Sequence, residues 1–187
     1  MKLIKLLYPI LFGLICPPIL SYMGVLIGDD GVDYYTEVHQ TFHNAMVHSV
    51  FMPFTIYGML LWIPNTLLYL FRMLHIKGDD FSINTHNAIY TQYCFYCAYM
   101  THYLTINGSI GVLLMFVYAI PFYYARKYYF TKKTHHVIKH GLSISTGSLV
   151  IQEVFGHYYG GDELSRPEAV FNAILYATYF SVGHFFR

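Results

Sequence analysis

Residues 47–71 read VHSVFMPFTIYGMLLWIPNTLLYLF, and no Asp, Glu, Lys or Arg interrupts them. A helix that spans a bilayer needs ~20 mostly apolar residues. This stretch therefore reads as a span, kinked or tilted at Pro53 and Pro64. A membrane barrel requires alternating apolar and polar positions, whereas this run is continuous. Five further segments read the same way: 3–27, 87–104, 107–125, 137–155 and 168–186. The expectation is an all-α protein, a polytopic transmembrane helical bundle of about five or six spans.

Composition supports that reading by exclusion. Of 187 residues, 56% are hydrophobic and only 11% charged, against ~25% charged in an average soluble domain. So few charges cannot cover a water-soluble globule. Aromatic residues make up 19% of the chain, which excludes a disordered polymer. A net charge of +1 gives no electrostatic case for nucleic acid. The 3 cysteines cannot close a disulfide framework, and Cys94 and Cys97 sit in an apolar run as packing groups. The expected environment is the lipid bilayer; nothing in the pattern sets an oligomeric state.

Residues 1–28 form a hydrophobic anchor or re-entrant segment, because Pro17-Pro18 falls in the middle of an apolar run headed by Lys2 and Lys5. Residues 29–187 form a single transmembrane helical domain. Within it, Asn107-Gly108 is a turn dipeptide that makes a hairpin of the third and fourth segments. The fifth segment is the least apolar, with Lys139, His140, Gln152 and Glu153, so it lines something rather than facing lipid. Arg126, Lys127, Lys132, Lys133 and Lys139 crowd the turn before it, and the positive-inside rule puts that turn in the cytosol. An even number of spans separates the 28–46 loop from the 156–167 loop, so the two loops share one membrane face.

The polar chemistry concentrates on that face. His39, His43 and Asn44 run into His48 at the start of the second segment, and Gln152 and Glu153 near the end of the fifth lead to His157 in the loop that follows. Glu153 and His157 are four apart, the spacing of one α-helical face. Imidazoles with a carboxylate and open positions suit iron(II) that must meet oxygen, and a thiolate-rich zinc site is not available. His39 and His48 are nine apart and point to opposite faces of an unbroken helix, so a shared metal requires a bend between them. His39 and His43 need none. His75, His86 and His184 read as interfacial groups, and His135, His136 and His140 as surface groups of the basic turn.

The order His39-x4-Asn44-x3-His48-x4-Pro53, then Gly156-His157, Glu163-x3-Pro167 and Asn172, resembles the fungal 2-hydroxypalmitic acid dioxygenase family and its bacterial relatives. The resemblance spans residues 34–185 and is carried by the motif blocks; between them only hydropathy agrees. It implies an iron(II)-dependent oxidoreductase of the endoplasmic reticulum membrane, acting in fatty-acid α-oxidation on a 2-hydroxy fatty acid and O2. It carries the metal ligands over to His39, His48 and His157, with Asn44 and Glu163 as supporting polar groups. Glu153 stands where relatives have glutamine, unless Gln152 takes that role in a shifted register. Gly160-Gly161 lengthens the path from His157 to Glu163 by two residues. Two other classes stay open. One is a membrane di-iron hydroxylase or desaturase, because His39-x3-His43 and His135-His136-x3-His140 resemble histidine boxes. The other is a non-enzymatic multi-pass protein with interfacial histidines.

Overall fold

The stretch 47–71 lies inside a longer helix. In the computed structural model, which describes residues 2–22, 39–73, 85–163 and 182, this helix (α2) runs Phe42–Met73 through both prolines. Around it stand α1 (Lys2–Tyr22), α3 (Thr85–Ile106), α4 (Gly108–Thr131) and α5 (Thr134–Ile151), and a π-helical turn, Gln152–Tyr158, continues α5. No strand occurs among the described residues. The protein is all-α. The expected second span thus begins five residues earlier than 47, which puts Asn44 on the same helix as His48. Lys2–Tyr22 is one helix through Pro17-Pro18, with no reversal inside those residues. The segment 168–186 lies outside the described residues apart from Val182, which packs against the core.

Local chemistry explains the helix ends and interruptions. Asn107 is the N-cap of α4, its Oδ1 accepting from the amides of Ser109 (3.1 Å) and Ile110 (3.2 Å). Pro64 has no N–H to offer the carbonyl of Leu60 one turn earlier. The Gln92 amide of α3 supplies the missing donor at 2.8 Å. Tyr129 of α4 donates to the neighbouring Leu61 carbonyl at 2.6 Å and accepts from Asn65 at 2.7 Å. The carbonyls before Pro64 are therefore satisfied by two other helices.

Glycine sets how closely the helices approach. A Cβ on Gly58 would lie 2.6 Å from the Gly141 carbonyl oxygen, and one on Gly141 would lie 2.7 Å from that of Gly58. Small residues at helix crossings allow such contact, in lipid especially. Along this crossing Thr55 meets Ser148 and His48 meets Gln152, so α2 and α5 are antiparallel. Tyr8 stacks near Tyr90 and Gly13 touches the Cys97 backbone, so α1 and α3 are parallel. Gly111 abuts Leu104 and Tyr93 packs on Phe122, so α3 and α4 are antiparallel. These directions are those of an up-and-down path, which brings the start of α2 and the end of α5 to one end of the bundle.

Beside the apolar core, polar side chains are buried and large apolar ones are exposed. Asn44, Thr55, Asn65, Gln92, Gln152 and His157 are buried, while Phe116, Ile120, Phe54 and Val50 are at least half exposed. Two helices, Phe42–Leu70 of α2 and Gly108–Thr131, are long and apolar enough to cross a membrane by length and composition. α3 and α5 are more polar, α3 through Asn87, Gln92 and His102, and α5 through His135, His136, Lys139 and His140.

Candidate metal centre

The site is assembled where α2 begins and α5 ends. His39 precedes α2, separated from it by Thr41, whose hydroxyl caps the helix by accepting from the Asn44 amide at 3.3 Å. The helix thus starts between His39 and His48, and that change of direction supplies the bend a shared centre needs. His157 arrives from the π-helical turn, where the Tyr159 amide bonds to the Val154 carbonyl five residues back at 3.1 Å. Gln152, at the start of that turn, and His157, near its end, are both buried. The segment that carries Glu153 and His157 is a π-helical turn rather than regular α-helix. Glu153 is half-buried, and the side chain that bonds to the His48 imidazole is Gln152.

Three imidazoles meet. Ring centroids are 4.6 Å apart for His39–His157, 5.0 Å for His39–His48 and 5.3 Å for His48–His157. One ligand nitrogen from each lies within 4.8 Å of the other two, close enough to bind a metal. His48 Nε2 and His157 Nε2 are 3.2 Å apart. Nitrogens bound at ~2.1 Å to one metal, at octahedral to tetrahedral angles, stand ~3.0–3.4 Å from each other.

Hydrogen bonds behind the rings fix where the protons are. His157 Nδ1–H donates to the Glu163 backbone carbonyl at 2.5 Å. His48 Nδ1–H donates to Gln152 Oε1 at 2.6 Å. The Gln152 amide cannot be reversed, because its Nε2 donates to the Ser148 carbonyl (3.2 Å) and to Thr55 Oγ1 (2.9 Å). From Thr55 the hydroxyl chain runs to Ser148 Oγ (2.9 Å) and ends on the Phe51 carbonyl (2.6 Å). In neutral rings so bonded both Nε2 atoms carry lone pairs, and the two face each other. A shared proton satisfies two such nitrogens; a third imidazole converging on them fits a metal ion, whose ligating histidines typically donate their other N–H in this way.

The remaining polar groups divide sharply. Asn44 is fully buried, and its Nδ2 donates to Asp162 Oδ2 at 2.8 Å. Its Oδ1 is buried without a hydrogen bond among the described residues and faces Gly156, where a Cβ would lie 2.6 Å away. Glu163 enters the site through its backbone carbonyl while its side chain is exposed. The acid that faces inward is Asp162, whose Oδ2 also accepts from the Thr41 amide (3.3 Å) and hydroxyl (2.9 Å). Gly161, at φ +81°, turns the chain back to deliver it. His43 stays outside the cluster, with Nε2 2.9 Å from the Phe155 carbonyl in the π-helical turn. His140 stacks on Tyr128 (4.5 Å) in the first turns of α5. It is twelve residues from Gln152, or ~18 Å of helix. The two groups that resemble histidine boxes do not share a centre.

Sequence reasoning missed Asp162 and held Gln152 only as the alternative to Glu153 in a shifted register. The signals for them were the Asp162-Glu163 pair, two adjacent acids of which only one can face inward, and the glycines at 156, 160 and 161 that mark an irregular helix end. Comparison of the chain with family models, curated proteins and solved structures gives no match in any of the three.

Proposed function

We propose that this chain is an integral membrane oxidoreductase that holds one iron(II) with His39, His48 and His157. It cleaves C1–C2 of 2-hydroxy long-chain fatty acids with O2, in the endoplasmic reticulum membrane. The observation that carries the reading is the convergence of the three imidazoles, two with Nδ1 protonated and Nε2 bare. The spacing of the same residues supplies the substrate class, through the resemblance to the 2-hydroxypalmitic acid dioxygenase family. A bundle of five or six spans is supported by the apolar exposed faces of α1, α2 and α4 and by the polar interior.

When bound, iron on three neutral imidazoles supplies a Lewis-acid and redox centre with coordination positions open to a hydroxy-carboxylate and to oxygen. The chain's own residues do the rest. Gln152 and the Glu163 carbonyl hold His48 and His157 in the ligating tautomer. The buried Asn44 Oδ1 is an acceptor held in reserve beside Gly156, and Glu153 flanks the inward face. Phe155, Tyr158 and Tyr159 stack into an exposed aromatic rim at this end, which suits an acyl chain entering from lipid. The reaction balances without another reductant: a 2-hydroxy acid and one O2 give the acid one carbon shorter, CO2 and water.

The test is iron analysis of the detergent-purified protein, combined with turnover of 2-hydroxypalmitate and oxygen uptake. One iron per chain and a product shortened by one carbon are expected. Two irons per chain would favour a di-iron hydroxylase, and no metal at all would favour the non-enzymatic class.

A further inference from the structure

We infer that Asp162 is a positioning residue that closes the three-histidine site by clasping the two chain segments that carry His39 and His157. The inference rests on the metal-site reading and adds to it a group that is not a ligand. Among the described residues the candidate ligand cluster contains the three histidines and no carboxylate.

His39 and the carbonyl that orients His157 are not held by the same kind of structure as His48. His48 is built into α2, with helical backbone on both sides. His39 precedes the helix, and the Glu163 carbonyl that orients His157 follows the last turn of the π-helical segment. Both are therefore placed by loops, and a loop positions a ligand less accurately than a helix does. Asp162 joins those loops. One oxygen, Oδ2, accepts from Thr41 N at 3.3 Å, Thr41 Oγ1 at 2.9 Å and Asn44 Nδ2 at 2.8 Å. Thr41 is two residues from His39, and Asp162 is next to Glu163. A single carboxylate thus sets the distance between the turn before α2 and the carbonyl behind His157.

Charge makes the contact effective. Bonds to an ionised acceptor are roughly twice as strong as neutral ones, and a carboxylate at a helix N-terminus gains from the helix dipole. The chain is shaped to bring it there. A Cβ on Gly160 would lie 1.9 Å from the Gly156 carbonyl oxygen, and Gly161 has positive φ. The two glycines that lengthen the path after His157 are thus the residues that let Asp162, rather than Glu163, turn inward.

The test titrates the detergent-purified, metal-free full chain with Co2+, read by its visible absorption, alongside far-ultraviolet circular dichroism. Asp162→Ala should bind ~10–100-fold more weakly while keeping its helical signal. Its cobalt spectrum should resemble that of His39→Ala, since the loop carrying His39 is the one released. Adding Thr41→Val to Asp162→Ala should cost little more, because both break the same clasp. Should Asp162→Ala lose helical signal, Thr41→Val alone carries the test, with a smaller loss of affinity expected. Wild-type affinity and spectrum in Asp162→Ala, or in Thr41→Val where that variant carries the test, would overturn the clasp, as would additive effects of the two changes. A wild-type protein that takes up no Co2+ would instead overturn the metal site itself, and the clasp with it.

Discussion

Gln152 Oε1 stands 2.6 Å from His48 Nδ1 and cannot turn away, because its amide nitrogen is committed to the Ser148 carbonyl and the Thr55 hydroxyl. The chain of donors runs one way, from the imidazole to the Phe51 carbonyl. Every member is satisfied, and a fully satisfied buried network specifies one arrangement. Its effect on His48 is to leave Nε2 bare and facing the other two imidazoles.

Replacing Gln152 tests that relationship. Gln152→Met keeps the length and removes the acceptor, so metal affinity should fall ~10–100-fold, the usual cost of losing a group that orients a ligand. Gln152→Glu retains an acceptor and should lose less. Glu153→Gln should bind metal as the wild type does. A titration in which Glu153→Gln proved the more damaging change would show that the orienting group had been misassigned.

Gly156 and Gly147 provide a matched pair. A Cβ at Gly156 would meet Asn44 Oδ1 at 2.6 Å, whereas one at Gly147 meets nothing within 4 Å. Gly156→Ala should destabilise the protein by ~1–3 kcal/mol, the range for overpacking a fitted interior. Gly147→Ala, in an exposed helical position, should stabilise by roughly 0.5–1 kcal/mol. Thermal unfolding in detergent, followed by circular dichroism, separates them. Equal midpoints for the two variants would contradict the packing described at Asn44.

The helix directions predict a labelling pattern. Gln40 and Tyr159 are exposed at the end that carries the histidines, and Lys133 is exposed in the turn between α4 and α5. With Cys16, Cys94 and Cys97 replaced by serine, single cysteines at positions 40 and 159 should label from one side of sealed vesicles, and one at 133 from the other. Labelling of 40 and 133 from the same side would break the proposed arrangement of spans.

Much of this was legible in the sequence, for physical reasons. Long uncharged runs announce helices, and His39, His48 and His157 stood out because imidazoles next to apolar runs are costly unless used. The bend required between His39 and His48 was also readable, since nine residues put them on opposite helix faces. The end of α5 was not. An i,i+4 reading pairs Glu153 with His157, but a π-helical turn has a wider repeat and such turns favour functional sites. In that turn Gln152 is buried and bonds to His48, while Glu153 is half-buried. The same end hid Asp162, because the φ of Gly161 decides which of two adjacent acids turns inward. Spacing rules assume regular geometry, and the backbone leaves it at the end of α5.

The most direct test of the central claim is the iron content per chain of the wild type and of the His39→Ala, His48→Ala, His157→Ala and His43→Ala variants, each reconstituted anaerobically with Fe(II) and desalted. One iron per chain should remain in the wild type and in His43→Ala, whose imidazole bonds to the Phe155 carbonyl instead. It should be lost from each of the other three while their helical signal persists. Retention of a full iron in His48→Ala or His157→Ala, or its loss from His43→Ala alone, would contradict a centre built on His39, His48 and His157.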